Sequence, residues 1–307
     1  MIVCLMEPST ARVRRVEIDS GKERYILTLN SEDFSALYPG MVRYTLTVTE
    51  GERTVGVFRT NSYEYSPLVP LAAEEISKSR ADEWEREIRS NPGEFVLNHR
   101  QELPKRPGSP PVDLVVIQGS PRANGNCGIL AGWAVGAARD LGRESLVIYP
   151  HDMEIHYCIG CYQCYNTGSC VFDDDMEGII DAIRSTPLLV VCSPVYTNTV
   201  PGGLKLLIDR CQAYHAQRAL SGGITGQEGL IFSVAGRGGE ENFTCITRVI
   251  SAFFRNLGIT PVGEILVDRA DAIRDIRTIP GLEQNVRKKV KQYLSRKESR
   301  KNELIGI

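Results

Sequence analysis

Four of the chain's nine cysteines fall in one short stretch, "CIGCYQCYNTGSC". The spacing is C-x2-C-x2-C-x5-C, on Cys158, Cys161, Cys164 and Cys170. Soft thiolates select iron–sulfur clusters or zinc. Three thiolates at that pitch can take three corners of one cubane, and the fourth is near enough in sequence to close it locally. Bacterial ferredoxins share the first spacings but draw the fourth ligand from elsewhere and follow it with Pro; here Val171 follows Cys170. Structural zinc takes two separated cysteine pairs, whereas Cys161 would belong to both pairs here. The stretch therefore reads first as a [4Fe–4S] site. Zinc, a redox dithiol and a cysteine-rich surface loop stay open as other readings. Gly160 and Gly168 would relieve crowding where backbone folds round sulfur.

A second constellation is "GSPRANGNC", Gly119 to Cys127, which follows an apolar run and leads into a helical one. Ser120, Asn124 and Asn126 are short and polar, and Arg122 carries a fork that fits phosphate oxygens. Helix-start amides add positive potential, and the backbone of Cys127 adds one more donor. Neither G-x-G-x-x-G nor a Walker loop is present, so a terminal monophosphate fits better than a dinucleotide. The bland alternative is an ordinary polar turn. A third stretch, "SPVYTNTVPGG", carries Pro194, Val195, Tyr196, Thr197 and Asn198. A planar heterocycle can lie there, its polar atoms met by backbone groups of Val195, Tyr196 and Thr197. The glycines of "AGRGGEE", among them Gly236, imply close backbone approach or a flexible turn.

These stretches need a scaffold that brings them to one edge. From Val112 on, apolar runs ("VDLVVIQ", "SLVIYP", "PLLVVCS", "GLIFSVAG", "PVGEILVD") alternate with helical segments. Continuous apolar strands are expected where both sheet faces are covered. The expectation is an α/β fold, a doubly wound parallel sheet of five strands over residues 112–280, with the cysteine loop 158–170 after its second strand. Residues 1–105 read as a small β-rich domain with one helix, which ends at Pro92-Gly93. Residues 106–111 are a proline-rich linker. Residues 281–307 form a basic C-terminal helix or tail, read first as a solvated face.

"GSPRANGNC", "SPVY" and "LKLLIDR" resemble the NAD(P)H-dependent FMN reductase branch of the flavodoxin-like flavoproteins. With "CIGCYQCYNTGSCVFDDDM" added, the chain is similar to the iron–sulfur flavoprotein family over about residues 112–268. The resemblance implies a flavodoxin-like fold and FMN bound by the Ser120–Asn126 turn, with its ring beside Pro194–Asn198. It also implies a [4Fe–4S] cluster on the four cysteines and a homodimer or homotetramer. The expected route runs through the cluster, between a one-electron donor such as ferredoxin and FMN; the alternative is NAD(P)H-dependent reduction of a quinone or free flavin, and in both FMN rather than a side chain carries the chemistry. A non-catalytic redox-sensing or binding module is the reading from a different class. The β-rich domain has no counterpart in this resemblance.

Around the cysteines, Asp173 or Asp174 suits a helix cap, and His151 and His156 are loop histidines. Net charge is −2, which gives no field for nucleic acid. No apolar run is long enough to span a bilayer, and there is no signal-peptide pattern. A cytoplasmic setting with reduced thiols is the expectation.

Overall fold

The computed structural model describes residues 9–20, 23–36, 38–66, 68–69, 71–99, 112–221 and 226–305. The expected linker, 106–111, lies outside the described residues. The chain divides into two compact units, Met1–Arg106 with Ile159–Val171, and Pro107–Cys158 with Phe172–Ile307.

In the first unit, β1 (Ser9–Ser20), β2 (Glu23–Asp33), β3 (Val42–Glu50) and β4 (Arg53–Asn61) form an antiparallel meander. The period-2 pattern buries Tyr25, Leu27 and Leu29 from one face of β2. That face packs on α1 (Ala72–Ser90), whose Ala73, Ser77, Ala81, Trp84 and Ile88 make one helical stripe. The helix ends at Asn91 as the sequence suggests. A second helix, α2 (Pro92–His99), then opens on Pro92 and buries Phe95 against Trp84, with ring centroids 5.3 Å apart. Proline suits the first helical position because its missing N–H would have no partner there. One helix was expected over residues 1–105, and α1 and α2 are both present among the described residues of that stretch.

The second unit contains β5 (Leu114–Gln118), α3 (Asn126–Arg139), β6 (Ser145–Ile148), α5 (Met176–Ser185), β7 (Leu188–Pro194), α6 (Gly202–Arg210), α7 (Gln212–Ser221), β8 (Glu228–Val234), α8 (Thr244–Asn256), β9 (Thr260–Val267), α9 (Ala270–Ile273) and α10 (Leu282–Ile305). The short α4 (Cys164–Thr167) belongs to the first unit. The strands pair in parallel in the order β6-β5-β7-β8-β9, the flavodoxin-like doubly wound sheet. Along β5, Leu114 and Val116 face α3 and α10, while Val115 and Ile117 face α5, α6 and α8. Both faces are covered, which is why the strands are apolar throughout. The basic C-terminal segment is part of this packing: Val286, Val290, Tyr293 and Leu294 of α10 bury in the core with α3. Lys291 reaches Asp140 at 2.7 Å beyond the end of α3.

Order reverses at β5, whose successors β6 and β7 lie on opposite sides of it. Ligands of open parallel sheets sit outside the strand carboxyl ends at such a point.

Candidate functional site

β5 ends at Gln118, and its buried side chain organises the turn beyond. Gln118 Oε1 accepts from the Ser120 amide at 2.9 Å, and Gln118 Nε2 donates to the Arg122 carbonyl at 3.1 Å. Ser120 Oγ accepts from the Arg122 amide at 3.1 Å, and the Gly125 amide donates back to the Arg122 carbonyl at 3.0 Å. The turn lies close against its neighbours. A Cβ on Gly119 would stand 2.6 Å from Leu204 of α6, and one on Gly128 would run into the Ala123 carbonyl. The amides of Asn126–Gly128 open α3 and have no intrahelical acceptor, which leaves them to an anion.

Beside the turn is a cavity of about 620 Å³, in the range of small-molecule sites. Ser120, Arg122, Asn124, Asn126 and Cys127 line it from the turn; Pro194, Val195 and Tyr196 line it from the loop after β7, and Gly236 from the loop after β8. Thr197 and Asn198 are not in its wall. Both are exposed and left-handed (φ 46° and 61°), and they close the turn in which Tyr196 and Thr199 exchange 2.9 Å backbone hydrogen bonds. Asn126 lines the cavity and also straps its far wall. Its Nδ2 donates to the Arg274 carbonyl at 3.1 Å, and its Oδ1 accepts from the Ile276 amide at 3.3 Å. Burial pushes the Cys127 thiol up to about 12, so it stays neutral.

The strapped segment follows β9 and contributes Asp271, Arg274, Asp275 and Arg277 to the wall. Sequence reasoning passed these over. The signal available was positional, since every loop after a strand of this sheet emerges at the carboxyl edge. Arg277 is committed to Asp275 at 2.7 Å. A guanidinium and helix-start amides on one element, with an aromatic edge on the next loop, fit a phosphorylated planar ligand such as FMN.

The cysteine segment leaves the second unit after β6 and a short 3-10 turn, Pro150–Asp152. In that turn His151 Nε2 lies 3.1 Å from the Gly119 carbonyl. Both stems of the excursion are held within the second unit by a buried ion pair. Arg210 at the end of α6 meets Asp174 through two N–H···O contacts, 2.6 and 3.0 Å, and each side chain is 1% exposed. Arg210 Nη1 also donates to the His156 carbonyl at 2.8 Å. Asp174 accepts from the backbone amides of His156 (3.0 Å) and Met176 (3.2 Å). Asp174 thereby meets the first amide of α5, but the N-cap position expected of Asp173 or Asp174 falls to Asp175, whose side chain makes no cap hydrogen bond. The His156 ring stacks on Phe172 with centroids 4.9 Å apart. Burial alone would raise the Asp174 carboxyl. Arg210 and the two amides outweigh it and hold the carboxyl down at about 2.

Between these stems, Ile159–Val171 packs as part of the first unit. Gly160 (φ 65°) and Gly168 (φ 78°) take left-handed conformations, and the Gly168 amide closes α4 on the Cys164 carbonyl at 2.8 Å. Cys158 is exposed, and Cys161, Cys164 and Cys170 are half-buried. The donor chemistry suits a soft metal or cluster. Among the described residues, no three Cys, His, Asp or Glu side chains converge as metal ligands.

The profile of the family described as NADPH-dependent FMN reductase matches residues 112–270, more than half of the chain. An iron-sulfur flavoprotein of Methanosarcina thermophila is 36% identical over 94 residues, 31% of this chain and 49% of that protein. Another, of Archaeoglobus fulgidus, is 33% identical over 150 residues, 48% of this chain and 65% of that protein. The chain thus spans about half the length of the first relative and under two thirds of the second. Among solved structures, an azoreductase of Bacillus anthracis aligns with a TM-score of 0.46 at 10% identity, over 58% of this chain and 98% of that one.

Proposed function

The chain belongs to the NADPH-dependent FMN reductase family, and from that premise we propose that it works as a flavin-dependent oxidoreductase with a reduced nicotinamide as donor. The observation that carries this is the cavity at the sheet's switch point, where Arg122 and the first amides of α3 stand beside the Pro194–Tyr196 loop. Bound FMN supplies two-electron exchange with a nicotinamide and one-electron exchange with other carriers. The protein's share is binding and orientation. Arg122 and the α3 amides neutralise and position the phosphate, and Gln118 keeps the turn from relaxing. The carbonyls of Val195 and Tyr196 offer acceptors to the ring edge, while their amides are spent on the Val234 and Thr199 carbonyls. Thr197 and Asn198 serve as turn formers that aim Tyr196. The test is anaerobic titration of the full chain with FMN and then NADPH. We expect about one FMN per chain and bleaching of the flavin on NADPH addition. A chain that binds no FMN, or an FMN complex inert to both NADPH and NADH, would refute the reading.

A second reading is favoured by the cysteine spacing and by the names of the relatives. On it, Cys158, Cys161, Cys164 and Cys170 hold a [4Fe–4S] cluster that would supply one-electron steps to or from a ferredoxin-like protein. Iron, sulfide and zinc assays on anaerobically prepared protein decide it, since zinc without iron removes the cluster. A homodimer or homotetramer belongs to this reading and is read by light scattering. Among the described residues no helix is long and apolar enough to cross a membrane.

A further inference from the structure

The N-terminal unit has no role in either reading, yet its polar side chains converge on the cysteine segment. We propose that this unit is the holder of that segment: β3, β4 and the 3-10 turn after β4 lock the backbone that carries Cys161 and Cys164, leaving thiol chemistry to a bound metal. The proposal rests on the second reading above only for what the thiols bind.

The grip is made on residues between the cysteines. Arg43 of β3 spends Nε and Nη2 on Glu32, at 2.8 and 2.9 Å, and sends Nη1 to the Tyr165 carbonyl at 2.9 Å. Asn61 ends β4 and is fully buried. Its Oδ1 caps the following turn by accepting from the Tyr63 amide at 3.0 Å. Its Nδ2 donates to Asn166 Oδ1 at 2.9 Å and to the Tyr162 carbonyl at 3.3 Å. Glu64 accepts from Gln163 Nε2 at 2.6 Å and from Asn166 Nδ2. Tyr38 and Tyr63 close the sides, edge-on to Tyr162 with centroids 5.8 and 5.1 Å away. Tyr165 is buried, and its hydroxyl meets that of Tyr38 at 3.0 Å.

Two features separate a holder from ordinary packing. Tyr162 sits at φ 57°, a conformation that persists for a bulky side chain only where its surroundings over-determine it. Its carbonyl and both flanks of its ring are engaged. In addition, the contacts are buried and directional. An Asn–Asn–Glu network of this kind specifies one arrangement where apolar packing would tolerate several. A turn ordered in advance loses less chain entropy when its thiols take up a ligand.

The test uses the full chain, prepared anaerobically. Asn61→Asp keeps the cap acceptor and removes the donor to Tyr162 and Asn166. Arg43→Lys keeps a charge for Glu32 and lacks the fork that also reaches Tyr165. Glu64→Gln serves if either fails to fold. Loss of one buried hydrogen bond in Arg43→Lys, or two in Asn61→Asp, should speed amide exchange across 162–168 about tenfold or more. Exchange in β5 and β7, and FMN content, should stay at wild-type values. In iron-loaded protein, the electron paramagnetic resonance signature of the reduced cluster should shift, and iron loss to a chelator should quicken about tenfold. Unchanged exchange and an unchanged signature would overturn the proposal. Equal acceleration in β1–β4 and the segment would overturn it too, because the residues would then serve only general stability. Wild-type protein that takes up neither iron nor zinc would sink the cluster reading, and the exchange measurement would still decide the holder.

Discussion

Asp174→Asn tests the clamp at the stems of the cysteine segment. Each carboxylate oxygen faces at least two donors: Oδ1 takes Arg210 Nη2 and the Met176 amide, and Oδ2 takes Arg210 Nη1 and the His156 amide. An asparagine NH2 in either place meets donors with a donor and leaves the Arg210 charge buried without its counter-charge. Breaking a buried pair from one side costs about 3 kcal/mol or more. The carboxyl's own titration sets the pH dependence. Its pKa is about 2 when folded against 3.8 as the ordinary value, which corresponds to about 2 kcal/mol of stability. Because the folded value is the lower one, this contribution is complete above about pH 4 and is lost as pH falls toward 2. Urea unfolding read from Trp133, in a Trp84→Phe background, isolates the unit that holds the clamp. The variant's deficit should be about 3 kcal/mol at pH 7 and should shrink by about 2 kcal/mol near pH 2, where the wild-type carboxyl is about half protonated in the folded state and protonated in the unfolded one. A deficit under 1 kcal/mol at pH 7, or one that does not change with pH, would refute the reasoning.

Other outcomes follow from the cavity and the thiols. Arg122→Gln should weaken FMN binding about tenfold to a hundredfold, the worth of a charge-assisted contact, while riboflavin, which lacks the phosphate, should bind as before; flavin fluorescence titration compares the two. Gly128→Ala drives a methyl into the Ala123 carbonyl, so FMN affinity should fall tenfold or more by the same titration, with the far-ultraviolet circular dichroism unchanged. In metal-free native protein at pH 8, mass-mapped alkylation should find Cys158 and Cys245, which are exposed, modified first. Cys127 and Cys211 should stay unmodified, because burial pushes both thiols up to about 12 and the thiolate is the reactive form.

Much of the architecture was legible because it is local or periodic. Alternation in "RYILTLN" and "VRYTLTVTE" marks half-buried antiparallel strands, and the unbroken runs of β5 and β7 mark strands covered on both faces. The misses have physical causes. Pro92-Gly93 stops α1, but proline is equally suited to start a helix, so a stop signal concealed α2. The lysines and arginines of α10 drew the eye to its solvated side, while Val286, Val290, Tyr293 and Leu294 at helical spacing complete the core against α3. The turn from Gly119 to Cys127 was legible as a strand–turn–helix. Gln118 was not, because a polar residue at a strand end looks like a boundary, and only the fold shows it bonded to Ser120 and Arg122.

The cysteine segment marks the limit of reading along a chain. Its thiols announce themselves through spacing of three and six residues. What holds it does not, since its partners are remote: Gln163 meets Glu64 across 99 positions and Tyr165 meets Tyr38 across 127. No local rule links Asn61 to Asn166. A buried donor must still find an acceptor: Asn61 finds it in Asn166 Oδ1 and the Tyr162 carbonyl, and Asn166 in the Glu64 carboxylate. The same logic applies to Asp174 and Arg210, 36 positions apart. Ordering a short loop costs chain and side-chain entropy, and the polar contacts at its base and along its length offset that cost. On the holder proposal, the thiols it carries are what that ordering serves.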